Sequence, residues 1–127
     1  MAERWVINAS PLIVLAKIGQ TDLLTALADE IAVPDAVAYE LNAGPDDDPA
    51  RNWLAKSNAP LVNVSNIPSE LLAWDLGAGE TAVLAHALAN PNWTAVLDDN
   101  AARKCARSFS IPVKGTLAVV ILAKQRR

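Results

Sequence analysis

The feature that most restricts this chain is an alternation of short apolar runs, each too brief for a helix, with segments that carry helix-starting signals. Arg4-Trp5-Val6-Ile7-Asn8 is followed by Ser10-Pro11, a cap and first-turn pair that opens a helix to about Ile18. Glu30 to Val33 is followed by Pro34, which opens another. Pro60 to Val64, Trp93 to Leu97 and Ile111 to Val113 complete the set of strands, with helical segments among and after them. Strands alternating with helices require crossover connections, and crossovers produce a mainly parallel sheet. The expectation is an α/β fold of about five strands. At 127 residues it is expected to be a single domain over residues 1–127.

The helical segments place their apolar residues consistently. Gly19 can close the first helix in the left-handed conformation, and Thr21 can cap a second with Leu23, Leu24 and Leu27 at helical spacing. Val37 and Leu41 fall on the inner face of the helix after Pro34, with Glu40 beside them. Residues 42–49 read as loop, Ala50 to about Ser57 as a short helix carrying Trp53 and Leu54, and Glu70 to Trp74 as a helical turn. A helix after Gly79 puts Glu80 at the head of a stripe containing Leu84, Ala87 and Leu88. From Asn100 to about Ser108, Ala102, Cys105, Ala106 and Phe109 form an inward stripe that leaves Arg103, Lys104 and Arg107 toward solvent. Gly115 opens a last helix ending in Lys124, Arg126 and Arg127.

Composition removes several classes of function. With 52% apolar and 20% charged residues the chain is not disordered. Its longest strongly apolar run, Leu117 to Ala123, is far below the roughly 20 residues of a membrane span. Glu3 and Arg4 lead directly into a strand, unlike a secretory signal, so a cytoplasmic location is expected. A single Cys105 suits a reducing compartment, and a single His86 rules out a site needing two histidines. The net charge of −3 hides a division: four basic residues against 14 acids before Asn100, a net −10, and seven basic residues with no acid after it, a net +7. Such a C-terminal part could meet a polyanion.

Three carboxylates lie where apolar elements end: Glu80 in a first helical turn, and Asp98 and Asp99 after the Trp93–Leu97 strand. Ligands of open α/β sheets bind beyond the carboxyl ends of the strands. Crowded carboxylates raise one another's pKa and are usually tolerated because a divalent cation neutralises them. Each residue also has a plainer role. Asn8 could tie down a strand-to-helix turn, and Ser10 and Asp99 could be helix caps. Glu80 suits the positive end of its helix and Glu40 could be a solvated helix acid. Asp98 is the odder residue, because nothing local requires a second acid.

A different chemistry shares the same stretch. Gly77-x-Gly79-x-x-Ala82 has the dinucleotide-binding spacing, with Asp98 about 20 residues further on. That fingerprint must follow a strand, and Ser69 to Asp75 has poor strand character. Glu80 would also bring negative charge to the pyrophosphate.

Taken together, Asn8-Ala9-Ser10-Pro11-Leu12-Ile13, Pro34 to Glu40-Leu41, Gly77 to Glu80, and Leu97-Asp98-Asp99-Asn100-Ala101-Ala102-Arg103 resemble, in order and spacing, the PIN-domain ribonucleases over almost the whole chain. The likeness is greatest to a predicted nucleic-acid-binding branch related to VapC-type toxin nucleases. The resemblance implies a three-layer α/β/α sandwich around a parallel sheet and hydrolysis of single-stranded RNA with Mg²⁺ or Mn²⁺. It also implies a homodimer and, for a toxin, an antitoxin partner. It places the first-strand acid at Asn8, a neighbouring hydroxyl at Ser10, further acids at Glu40 and Glu80, and the last at Asp99 with Asp98 beside it. Glu40, Glu80, Asp98 and Asp99 are thus the catalytic candidates, all four joining Asn8 as metal ligands. Ser10, Arg103, Lys104, Arg107, Lys114 and Thr116 are the candidates for substrate contact. Asparagine instead of aspartate at position 8 removes one negative charge and should weaken metal binding. The chain also stops sooner after Lys114-Gly115-Thr116 than such relatives do, so a binding protein that does not cut is the alternative.

Overall fold

The computed structural model describes residues 2–58 and 60–125. Five strands, β1 (Arg4–Ile7), β2 (Glu30–Pro34), β3 (Leu61–Val62), β4 (Trp93–Val96) and β5 (Val113–Lys114), form one sheet in the order β3-β2-β1-β4-β5. Every pairing is parallel. The connecting helices are α1 (Ala9–Lys17), α2 (Asp22–Leu27), α3 (Asp35–Asn42), α4 (Pro49–Lys56), α5 (Ser69–Leu72), α6 (Ala78–Ala89), α7 (Asn100–Ser108) and α8 (Thr116–Gln125). Helix α6 packs on β1, β2 and β4 and touches α7, whereas α1 packs against α4 and α8. The sheet lies between these two helical groups, which gives the three layers, and α3 touches members of both.

Strand β1 is central, so Trp5, Val6 and Ile7 have no solvent exposure. This explains why that stretch reads as a continuous apolar run: a parallel strand is covered on both faces. Each large aliphatic or aromatic side chain so buried contributes about 1.5–3 kcal/mol. Beneath and above it lie Leu12, Leu15, Leu24, Val37, Val83, Leu84, Ala102 and Cys105, all fully or almost fully buried. The burial of Cys105 pushes its thiol pKa up, which suits a packing role.

The edges of the sheet depart from expectation. Only Leu61 and Val62 of the expected third strand pair, with Val33 and Pro34, because an outer strand has one neighbour to hold it. The fifth strand begins at Val113 rather than Ile111 because the Ile111 N–H turns back to the Ala106 carbonyl at 2.9 Å, closing α7. Gly19, at φ +68, closes α1 as its position suggests. Thr21 does not cap α2: its backbone is already helical and its side chain makes no cap hydrogen bond. Residues 126–127, expected to end α8, lie outside the described residues.

The order of strands matters for function. From β1 the chain first builds toward β2 and β3 on one side, then returns to place β4 and β5 on the other. The reversal lies between β1 and β4, and the carboxyl ends of strands at such a reversal frame a crevice. Asn8 follows β1 there and Asp98 follows β4.

Candidate metal centre

Asn8 occupies the N-cap of α1, where asparagine normally turns its side-chain oxygen onto the helix's free N–H groups. Here it makes no cap bond; its Nδ2 instead donates to Glu80 Oε2 at 3.4 Å. The residue is 3% exposed, and its Oδ1 is buried without a hydrogen-bond partner. A buried unsatisfied amide oxygen costs about 1–3 kcal/mol. The plain reading of Asn8 as a turn residue therefore fails: it gives up its local bond and points into the protein.

Two carboxylates converge on it. Glu80 lies in the first turn of α6, which begins at Ala78, and it folds back over Gly77, whose missing side chain leaves room for it. Glu40 reaches in from the last turn of α3, a helix that packs against α6. Gly79 is the floor of this cradle. A Cβ there would stand 2.9 Å from Asn8 Oδ1 and 3.2 Å from Glu40 Oε1. Burial, and then the charge of Glu80, push the Glu40 carboxyl above its ordinary pKa. Both effects disfavour the charged form of Glu40, desolvation more than the neighbouring acid.

The paired aspartates behave otherwise. Asp99 is the N-cap of α7, its Oδ2 accepting from the Ala102 N–H at 2.9 Å. Asp98 accepts from the Thr116 N–H at 2.8 Å through Oδ1 and from the Thr116 hydroxyl at 2.5 Å through Oδ2. It thereby ties the end of β4 to the start of α8. Among the described residues no three His, Cys, Asp or Glu side chains gather closely enough to hold a metal by themselves. What the fold brings together at Gly79 is Asn8, Glu40 and Glu80.

The substrate candidates also divide. Arg103 is half-buried rather than solvent-directed, with Nη1 3.4 Å from the Leu97 carbonyl oxygen and close enough to Gly115 that a Cβ there would meet it at 2.5 Å. It packs under the β4–β5 edge because Gly115 offers no side chain. Lys104 and Arg107 are exposed on α7, and Lys114 is half-buried in β5. Thr116 is engaged by Asp98, and Ser10 is exposed in the first turn of α1 without capping it.

Two features were not visible in the sequence. The use of Gly79 as a floor needs the approach of Asn8 and Glu40, 71 and 39 positions away. The Asp98 tether needs Thr116, 18 positions on. The dinucleotide reading is overturned, because α6 follows the helical turn α5 and an irregular stretch rather than a strand.

An all-oxygen set of one amide and two carboxylates suits a hard divalent cation. The orphaned Asn8 oxygen and the open floor at Gly79 are the observations that such an ion fits. Among the described residues no helix is long and apolar enough to cross a membrane. Over residues 4–127 the chain matches the family model DUF3368, described as PIN domain. No curated protein matches it.

Proposed function

Because this chain belongs to the PIN-domain family, whose members are generally nucleases that use divalent metals, we propose that it is a Mg²⁺- or Mn²⁺-dependent endoribonuclease acting on single-stranded RNA. The observation that carries this reading is the unsatisfied Asn8 Oδ1, buried beside Glu40 and Glu80 at the point where the strand order reverses. A cation held by these oxygens would supply Lewis-acid polarisation of a phosphodiester and a more acidic water. Glu40 and Glu80 would supply the negative charge that balances such a cation. Asn8 Nδ2 keeps Glu80 aimed inward, and Gly79 keeps the floor clear. The exposed Lys104 and Arg107 would meet backbone phosphates, contacts that orient RNA without reading its sequence. Asp99 and Asp98 support the rim by holding the starts of α7 and α8.

The test is cleavage of a single-stranded RNA in Mn²⁺ by the purified protein and by Glu80→Gln. Cleavage by the wild type alone supports the reading; equal cleavage by both points to a contaminant and removes it. A second reading, RNA binding without cutting, is favoured by the neutral Asn8 and by Thr116 holding both oxygens of Asp98. RNA retained but left intact in Mn²⁺ would select it. The finer role of a cytoplasmic toxin paired with an antitoxin draws on the sequence resemblance to VapC-type proteins. A homodimer is supported by the apolar side chains that α8 and α1 leave in solvent, Leu117, Ile121, Val14 and Ile18. Light scattering of the free protein tests it.

A further inference from the structure

We propose that the Asn8 amide divides the carboxylate cluster, so that this site takes one divalent cation rather than two. The inference rests on the nuclease reading above and concerns how many ions that site holds. Its starting point is the direction of the amide. Oδ1 faces the Gly79 floor that Glu40 Oε1 also faces, while Nδ2 is turned to Glu80 Oε2. A cation can approach the first side, where Oδ1 has no other partner. On the second side it meets an N–H group, which has no lone pair to give.

Charge points the same way. Glu40 and Glu80 together carry two negative charges, matched by one dication. A second dication would need further acid close by, and the candidates are committed elsewhere. Asp98 is oriented by the Thr116 N–H and hydroxyl, and Asp99 by the Ala102 N–H, so each is held at the start of a helix and not at the Gly79 floor. Two dications only a few ångströms apart, as in two-metal sites, would then repel with too little negative charge between them. An aspartate at position 8 would remove the N–H barrier and supply the missing charge in one step.

The experiment uses the full chain stripped of metal and titrated with Mn²⁺ alone, followed by calorimetry and by the paramagnetic resonance of free Mn²⁺. Wild type is expected to bind one equivalent. Asn8→Asp, nearly identical in shape, is expected to take a second equivalent or to bind the first at least about tenfold more tightly, a change of the size that ligand-shell substitutions produce. Asp98→Asn is expected to keep the single equivalent. Two equivalents of similar affinity in the wild type overturn the inference and leave the nuclease reading standing. So does an Asn8→Asp titration superimposable on the wild type, with circular dichroism confirming the variant's fold. No Mn²⁺ binding by the wild type removes both. The wild-type count stands whether or not the variant folds.

Discussion

Two groups of acids lie near the same edge of the sheet and are treated in opposite ways. Asp98 and Asp99 have hydrogen-bond donors from the backbone and from Thr116, and each stabilises the start of a helix. Glu40 and Glu80 have each other for company, with one long bond from an asparagine whose own oxygen is left without a donor. Acids that hold the start of a helix explain the fold; a buried amide oxygen without a donor, beside an exposed Glu40 and a half-buried Glu80, requires something the chain itself does not provide. The comparison locates the candidate chemistry more sharply than acidity alone, which would have ranked the adjacent aspartates first.

The largest effect should come from separating the groups by activity. Glu80→Gln is expected to lower RNA cleavage in Mn²⁺ by about 100-fold or more, beyond the 10–100-fold typical of residues that only support a metal ligand. Asp98→Asn should stay within severalfold of wild type in the same single-turnover assay, and an equal loss in both variants would erase the distinction. Next is the floor. Gly79→Ala forces a methyl against Asn8 Oδ1 and Glu40 Oε1 and should cost about 1–3 kcal/mol in urea unfolding, with weaker Mn²⁺ binding. Asp99→Ala should cost about 1 kcal/mol through loss of its cap, with Mn²⁺ affinity nearly unchanged.

The smallest effect is a pair of pH dependences with opposite signs. Burial lowers the pKa of His86, whose Nε2 is buried without a partner and whose ring stands edge-on to Trp93 at 4.9 Å. The unfolded chain therefore binds its proton more readily, and stability should fall as pH drops below 6.5. Glu40 is raised above 4.5, so the folded chain holds the extra proton; its contribution is present below pH 4.5 and declines as pH rises through the folded value. Thermal melts of wild type, His86→Gln and Glu40→Gln across pH 4–8 separate the two. A melt of Glu40→Gln that follows the wild-type profile throughout would show that Glu40 is not under the strain assigned to it.

Much of the architecture was legible because local signals are strong where the core is deep. The runs at β1, β2 and β4 are apolar on both faces, and Pro34, Gly19 and Asp99 mark helix ends by their own backbone or hydrogen-bonding preferences. The edge strands β3 and β5 were less legible, because their extent depends on a single neighbour and on where α7 closes. At the site, Asn8, Glu40 and Glu80 are named from the sequence, and the one local sign that Asn8 gives up its cap bond is Pro11, third in α1 and without an N–H to offer. The role of Asp98 was hidden for the reason that its partner is remote. Arg103 was expected in solvent by helical spacing, and only the absence of a side chain at Gly115 draws it inward.

The most direct measurement is the Mn²⁺-induced change in melting temperature across a panel of isosteric variants. With Mn²⁺ at about 100 times its dissociation constant, binding should add about 2.7 kcal/mol of stability. Wild type and Asp98→Asn should both show the upward shift, and Glu40→Gln and Glu80→Gln should lose it. A shift that survives in the two glutamine variants and disappears in Asp98→Asn would place the cation at the paired aspartates and contradict the account.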